Sequence, residues 1–122
     1  MKKTILVVED DESLRNLLKK KFVQEGYEVV EGENGIEGLK LFKDIGPDLL
    51  LMDVVMPKMD GITMLKEIRK LEGGKKIPVI VLTNLSDHDE LSAALENGVY
   101  DYLIKSNWKL TDVVERVKLK LE

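Results

Sequence analysis

The sequence predicts an α/β protein built on a single doubly wound parallel sheet, and three observations predict it. Five short apolar runs rich in Val, Ile and Leu alternate with five segments whose apolar residues recur at helical spacing. No two runs are joined by a linker of hairpin length, so successive strands must pair in parallel through right-handed helical crossovers. The chain has 122 residues and 13.9 kDa, 43% apolar and 34% charged, and a chain of this size buries about two-thirds of its unfolded surface. One domain with a true core needs no staple. With no cysteine in the sequence, disulfides, thiolate metal sites and thiol nucleophiles are excluded.

The elements follow in order. Residues 4–9 form the first strand, and Leu14, Leu17, Leu18 and Phe22 stripe a helix that Gly26 ends. The second strand covers residues 27–31; Asn34 and Glu37 then have the spacing of a helix cap and its reciprocal acid, ahead of Leu39, Phe42, Ile45 and a stop at Gly46. Residues 48–53 make the third strand, followed by a helix through Ile62, Leu65 and Ile68 that the Gly73-Gly74 pair ends. The fourth strand is residues 78–83, with Asp87 and Glu90 capping a helix through Leu91, Ala94 and Leu95 that stops at Gly98. Residues 100–104 form the last strand, and Leu110, Val113, Val114, Val117 and Leu121 stripe the last helix. All five runs read as buried strands. Met52, Met56, Met59 and Met64 read as core fillers, and Trp108 as an anchor of the last helix.

Charge narrows the function. The formal net charge is −4 and the pI near 5.2, which argues against a nucleic-acid-binding surface, since neutralising phosphates needs a local excess of Lys and Arg. The start Met1-Lys2-Lys3-Thr4 is basic, but the apolar stretch behind it gives way at Glu9 to four consecutive acids, too soon for a signal core or a membrane span. A cytoplasmic location is expected. The triplet Lys19-Lys20-Lys21 reads as a solvated helix face.

In a parallel doubly wound sheet, ligands bind beyond the carboxyl ends of the strands. There the first run ends in Glu9-Asp10-Asp11, the third in Asp53, the fourth in Thr83 and the fifth at Lys105. Carboxylates brought within about 4 Å repel by roughly 4 kcal/mol per pair at an effective dielectric near 20, so the cluster wants a cation. Oxygen donors without sulfur or a nearby imidazole favour a hard ion such as Mg²⁺; the one histidine, His88, reads as a helix-start residue. A carboxylate can itself accept a phosphoryl group, with a metal, an ammonium and a hydroxyl sharing the charge. Singly, each residue has a plainer reading: Asp10 or Asp11 as a helix cap, Thr83 as a strand threonine, Lys105 as a solvated charge. Their joint placement on one edge favours the site. A Mg²⁺-dependent phosphatase with an aspartyl nucleophile would need an Asp-x-Asp pattern after the first strand, which Glu9-Asp10-Asp11 lacks. A flavin or nucleotide module would need a Gly- or Ser/Thr-rich first loop where this one is acidic.

The motifs resemble one family throughout the chain. Ile5-Leu6-Val7-Val8-Glu9-Asp10-Asp11, the stretch from Leu50 through Asp53 to Met56-Pro57-Lys58-Met59-Asp60-Gly61, Val79-Ile80-Val81-Leu82-Thr83, and Asp101-Tyr102-Leu103-Ile104-Lys105 are similar to the signatures of receiver domains of bacterial two-component response regulators. The resemblance implies strand order 2-1-3-4-5, a flavodoxin-like arrangement. It implies Asp53 as phosphoacceptor from a histidine kinase, phosphotransfer protein or small phosphodonor. Mg²⁺ would be held by Glu9, Asp10, Asp53 and the backbone carbonyl of Val55. Lys105 would pair with the phosphoryl oxygens, Thr83 and Tyr102 would be switch residues, and the fourth helix, fifth strand and fifth helix would form an output face toward an effector protein or a phosphorylation-dependent dimer. With residues 1–122 forming the receiver and nothing left for an output domain, a stand-alone switch is expected, a signalling protein and not an enzyme; a receiver acting by binding alone is the lesser alternative. Three departures stand out: Glu9 replaces the commoner aspartate, Asn84 stands where a small residue is usual, and Ser106 follows Lys105 in place of a proline joined by a cis bond. A cis bond before serine costs about 3 kcal/mol, so trans is expected.

Overall fold

The computed structural model describes residues 2–83, 88–99, 101–105 and 109–122, without the side chains of 88, 90 and 91. Five strands alternate with five helices: β1 (Thr4–Val8), α1 (Glu12–Gln24), β2 (Glu28–Gly32), α2 (Gly35–Ile45), β3 (Leu49–Asp53), α3 (Gly61–Arg69), β4 (Val79–Thr83), α4 (His88–Glu96), β5 (Asp101–Ile104) and α5 (Leu110–Leu121). All pairings are parallel and the order is β2-β1-β3-β4-β5, as the resemblance implies.

Alternate strand residues build two separate cores. Leu6, Val8, Leu50, Met52, Val79 and Val81 pack with Phe42, Met64, Leu65, Ile68 and Ala94 of α2, α3 and α4. Ile5, Val7, Leu49, Leu51, Ile80 and Leu82 pack with Leu18, Phe22, Val113, Val114 and Val117 of α1 and α5. Apolar burial on both faces is why β1, β3 and β4 read as continuous hydrophobic runs. Met52, Met56 and Met64 are buried and Met59 packs against the first core, as the sequence indicates.

Several expectations need correction. β2 and β5 lie at the sheet edges and are only partly covered, so full burial holds for the three inner strands alone. Leu17, Ile45 and Leu95, placed in the apolar stripes, are more than 40% exposed. In α1 the buried row is Arg15, Leu18 and Phe22, and Leu17 sits about 100° around the helix from Leu18. α3 stops at Arg69, before the Gly73-Gly74 pair, and Glu72–Gly74 form a separate 3-10 turn. Gly74 is there for close packing: a Cβ on it would lie 1.9 Å from the Ile68 carbonyl oxygen. The stops at Gly26, Gly46 and Gly98 stand, all three at positive φ.

Caps set the helix starts. Asn34 Oδ1 accepts the Glu37 N–H at 2.9 Å, Asp11 Oδ1 that of Leu14 at 3.2 Å, and Asp60 Oδ1 that of Thr63 at 2.7 Å. At α5 the Asp112 carboxylate accepts the Lys109 N–H at 2.9 Å. The expectations about Asn84, Asp87, Ser106 and Trp108, and about the Lys105–Ser106 bond, lie outside the described residues. Among the described residues, no helix is long and apolar enough to cross a membrane.

Candidate functional site

Strand register assembles the site. Val8 of β1 pairs with Met52 of β3, so the next residue of each strand, Glu9 and Asp53, meets the other at the carboxyl edge. Asp53 pairs with Leu82, placing Thr83 one residue beyond it. Thr83 pairs with Ile104, and the Lys105 N–H continues the ladder by donating to the Thr83 carbonyl at 2.7 Å. Three parallel pairings thus carry residues from positions 9 to 105 onto one rim.

The side chains converge. Lys105 Nζ lies 2.8 Å from Asp53 Oδ2 and 2.9 Å from Glu9 Oε1. The other Asp53 oxygen, Oδ1, accepts the Val54 N–H at 2.7 Å. Carboxylate oxygens of Glu9, Asp10 and Asp53 lie within 4.8 Å of one another. Glu9 is 0% and Asp53 4% exposed, whereas Asp10 is exposed at the mouth. Of the two acids the sequence offers as a cap, Asp11 caps α1, while Asp10 has a carboxylate oxygen in the cluster. Thr83 is buried, Tyr102 is 40% exposed on the edge strand, and Val55 is 54% exposed just beyond β3.

The loop after Asp53 is tightly fixed. The Gly61 N–H donates to the Val54 carbonyl at 2.8 Å, and a Cβ at Gly61 would fall 2.1 Å from the Asp53 carbonyl oxygen. The Met59 N–H donates to the Pro57 carbonyl at 2.8 Å around Lys58, whose φ of 67 is uncommon for a residue with a side chain. Met59 in turn accepts the Gly35 N–H at 2.9 Å, pinning the loop to α2.

Electrostatics favours a cation. Burial pushes the Glu9 carboxyl up to about 8; the Lys105 ammonium opposes that rise, while Asp10 and Asp53 add to it. Burial pulls Lys105 down, but its contacts with Asp53 and Glu9 outweigh this and leave its pKa raised. Although Lys105 is close, Glu9 Oε1 accepts no well-directed hydrogen bond among the described residues. Three carboxylates within 4.8 Å of one another, with one ammonium between Glu9 and Asp53, make an all-oxygen cluster in acid excess that fits a hard divalent cation.

Sequence reasoning missed one residue beside this cluster. Arg15 is 6% exposed, and its Nη1 donates to the Glu9 main-chain carbonyl at 2.8 Å. The available clue was its place in the row with Leu18 and Phe22, where a charged residue is out of character.

The family model of the response regulator receiver domain matches residues 5–118. The chain is a response regulator receiver domain. Among curated relatives, this receiver is 37% identical over 106 residues to the chemotaxis protein CheY of Halobacterium salinarum, covering 86% of each chain. It is 43% identical over 101 residues to regulatory protein AtoC of Escherichia coli, covering 83% of this chain and 22% of AtoC. The receiver therefore spans less than half the length of AtoC, and likewise of the probable transcriptional regulator ycf27 of Cyanophora paradoxa, where 42% is covered. Among solved structures, the CheY-like receiver domain protein of Methanospirillum hungatei has a TM-score of 0.90 at 30% identity, covering 99% of this chain and 94% of that one. The receiver domain of Francisella response regulator 1452 has a TM-score of 0.85 at 30% identity, with 98% and 96% covered. The receiver thus belongs to two-component signalling.

Proposed function

We propose that this receiver is a phosphoacceptor switch in which Asp53 takes a phosphoryl group from a histidine kinase, a phosphotransfer protein or a small phosphodonor. The observation that carries this reading is the setting of Asp53: one oxygen fixed by the Val54 N–H, the other by Lys105, within a cluster of acids. Glu9, Asp10 and Asp53, with the main-chain carbonyl of Val55, are the residues that would hold Mg²⁺, which when bound neutralises phosphoryl oxygens. An Asp53 carboxylate oxygen attacks phosphorus, the bond from phosphorus to the donor's nitrogen or oxygen breaks, and the donor leaves with its electron pair. Lys105 passes from the carboxylate to the phosphoryl oxygens, holding charge that develops at transfer.

The receiver assists its own transfer and its own hydrolysis and is otherwise not an enzyme. The phosphoryl group adds about 1.5 to 2 negative charges, giving the Thr83 hydroxyl and Lys105 a new acceptor. Tyr102, within the edge strand and 40% exposed, follows by changing rotamer. The face of α4, β5 and α5 then presents a different surface to an effector protein or to a second phosphorylated copy. We place the protein in the cytoplasm, where its kinase and effector act.

Incubation with a small phosphodonor and Mg²⁺, followed by intact-mass measurement, tests the reading. The wild type is expected to gain one phosphoryl group, and Asp53→Asn or chelation of the metal to abolish the gain. Equal labelling of wild type and Asp53→Asn would reject the site.

A further inference from the structure

The Glu9 main chain is gripped from both sides. Its N–H donates to the Gly32 carbonyl at 3.0 Å, and its carbonyl accepts Arg15 Nη1 at 2.8 Å. Arg15 belongs to the first turns of α1 and is 6% exposed, in one row with the fully buried Leu18 and Phe22. Burying a guanidinium in such company is costly unless its donors are well matched. They are not: Nε is buried with no partner among the described residues. Among the described residues, Nη2 is paired with Glu33 Oε1 at 3.5 Å, from a side chain 66% exposed, and a pair that wet contributes little. The short bond to Glu9 is what the residue does best.

That bond has unusual leverage. The Glu9 carbonyl and the Asp10 N–H belong to one rigid peptide plane. Holding the carbonyl therefore restrains ψ of Glu9 on one side of the plane and φ of Asp10 on the other, the torsions that set where the two side chains leave the backbone. A positive charge near the cluster also repels a cation, so the two effects oppose each other. The charge is partly offset by Glu33 and screened, whereas the tether acts directly on two of the three clustered carboxylates.

We propose that Arg15 is a positioning residue for the divalent cation, acting through the Glu9–Asp10 peptide and touching neither metal nor phosphoryl group. The proposal rests on the phosphoacceptor reading only in that it assigns the cation to Glu9, Asp10 and Asp53. Mg²⁺ titration by calorimetry on the intact chain, for wild type, Arg15→Met, Arg15→Lys and Glu33→Gln, tests it. Arg15→Met is expected to raise the Mg²⁺ Kd about tenfold to a hundredfold, the cost typical of losing a group that orients metal ligands. Arg15→Lys, which keeps one donor, falls between Arg15→Met and wild type, and Glu33→Gln stays within about twofold of wild type. A purely structural role would lower the binding stoichiometry through loss of folded protein and leave Kd unchanged. In the metal-free chain, Arg15→Met is further expected to lose hydrogen-exchange protection at the Glu9 amide.

An unchanged Kd in Arg15→Met overturns the proposal, whatever happens to stability. If that result comes with normal Mg²⁺ binding by the wild type, the phosphoacceptor reading survives; a wild type that binds no Mg²⁺ ends both.

Discussion

Glu9 holds a carboxyl group with no exposed surface beside two other acids, and burial pushes its pKa up to about 8. The ordinary value is 4.5, so between these limits the folded chain binds a proton that the unfolded chain has released. Stability of the metal-free protein contributed by this group is therefore fullest at low pH and is lost as pH rises toward about 8. A cation needs the ionised form and must displace that proton. Mg²⁺ affinity is expected to rise by up to about tenfold per pH unit between about pH 6 and the Glu9 pKa. Calorimetry across that range checks it, and Glu9→Gln should flatten the dependence. At this scale the sequence was informative about Glu9, Asp10, Asp53 and Lys105, because each directly follows or ends a strand and strand ends are fixed by hydrophobic runs. It was silent about Arg15, because an arginine in an amphipathic helix defaults to solvent and only tertiary packing buries it.

At the scale of elements, Arg69 ties three segments together at the amino edge of the sheet, opposite the site. Its Nε donates to the Asn97 carbonyl at 3.0 Å. Its Nη1 donates to the carbonyls of Gly74 and Ile77, each at 2.9 Å. The end of α3, the approach to β4 and the end of α4 are thereby joined. Arg69→Met leaves three carbonyls short of donors and is expected to cost about 2–4 kcal/mol, seen as a lower denaturant midpoint, while Mg²⁺ affinity stays unchanged. A weakened Mg²⁺ Kd in the folded variant would show that the two edges are coupled. Element existence was legible because short continuous runs rich in Val, Ile and Leu differ in length and pattern from the one-sided stripes of the helices. Boundaries and partial exposure were less so: nothing in a short apolar run says whether it lies inside a sheet or at its edge, and the glycine pair at 73 and 74 reads as a stop when Gly74 is held by contact with Ile68.

For the whole molecule, any ligand of the folded state alone adds stability by mass action, about 2.7 kcal/mol at a hundredfold excess over Kd. Saturating Mg²⁺ is expected to raise Tm by roughly 10 °C for a domain of this size, and Asp10→Asn to lose most of that rise without unfolding the apoprotein, as thermal denaturation with and without chelator would show. The architecture was legible as a parallel sheet, but the strand order came from family likeness, because local patterning does not record which strand lies beside which. That order has a consequence for synthesis. The acids that follow β1 and end β3 precede Lys105, which follows β5, by 52 residues or more. A chain made from its amino end therefore carries Glu9, Asp10 and Asp53 before it carries the ammonium that Lys105 sets against them.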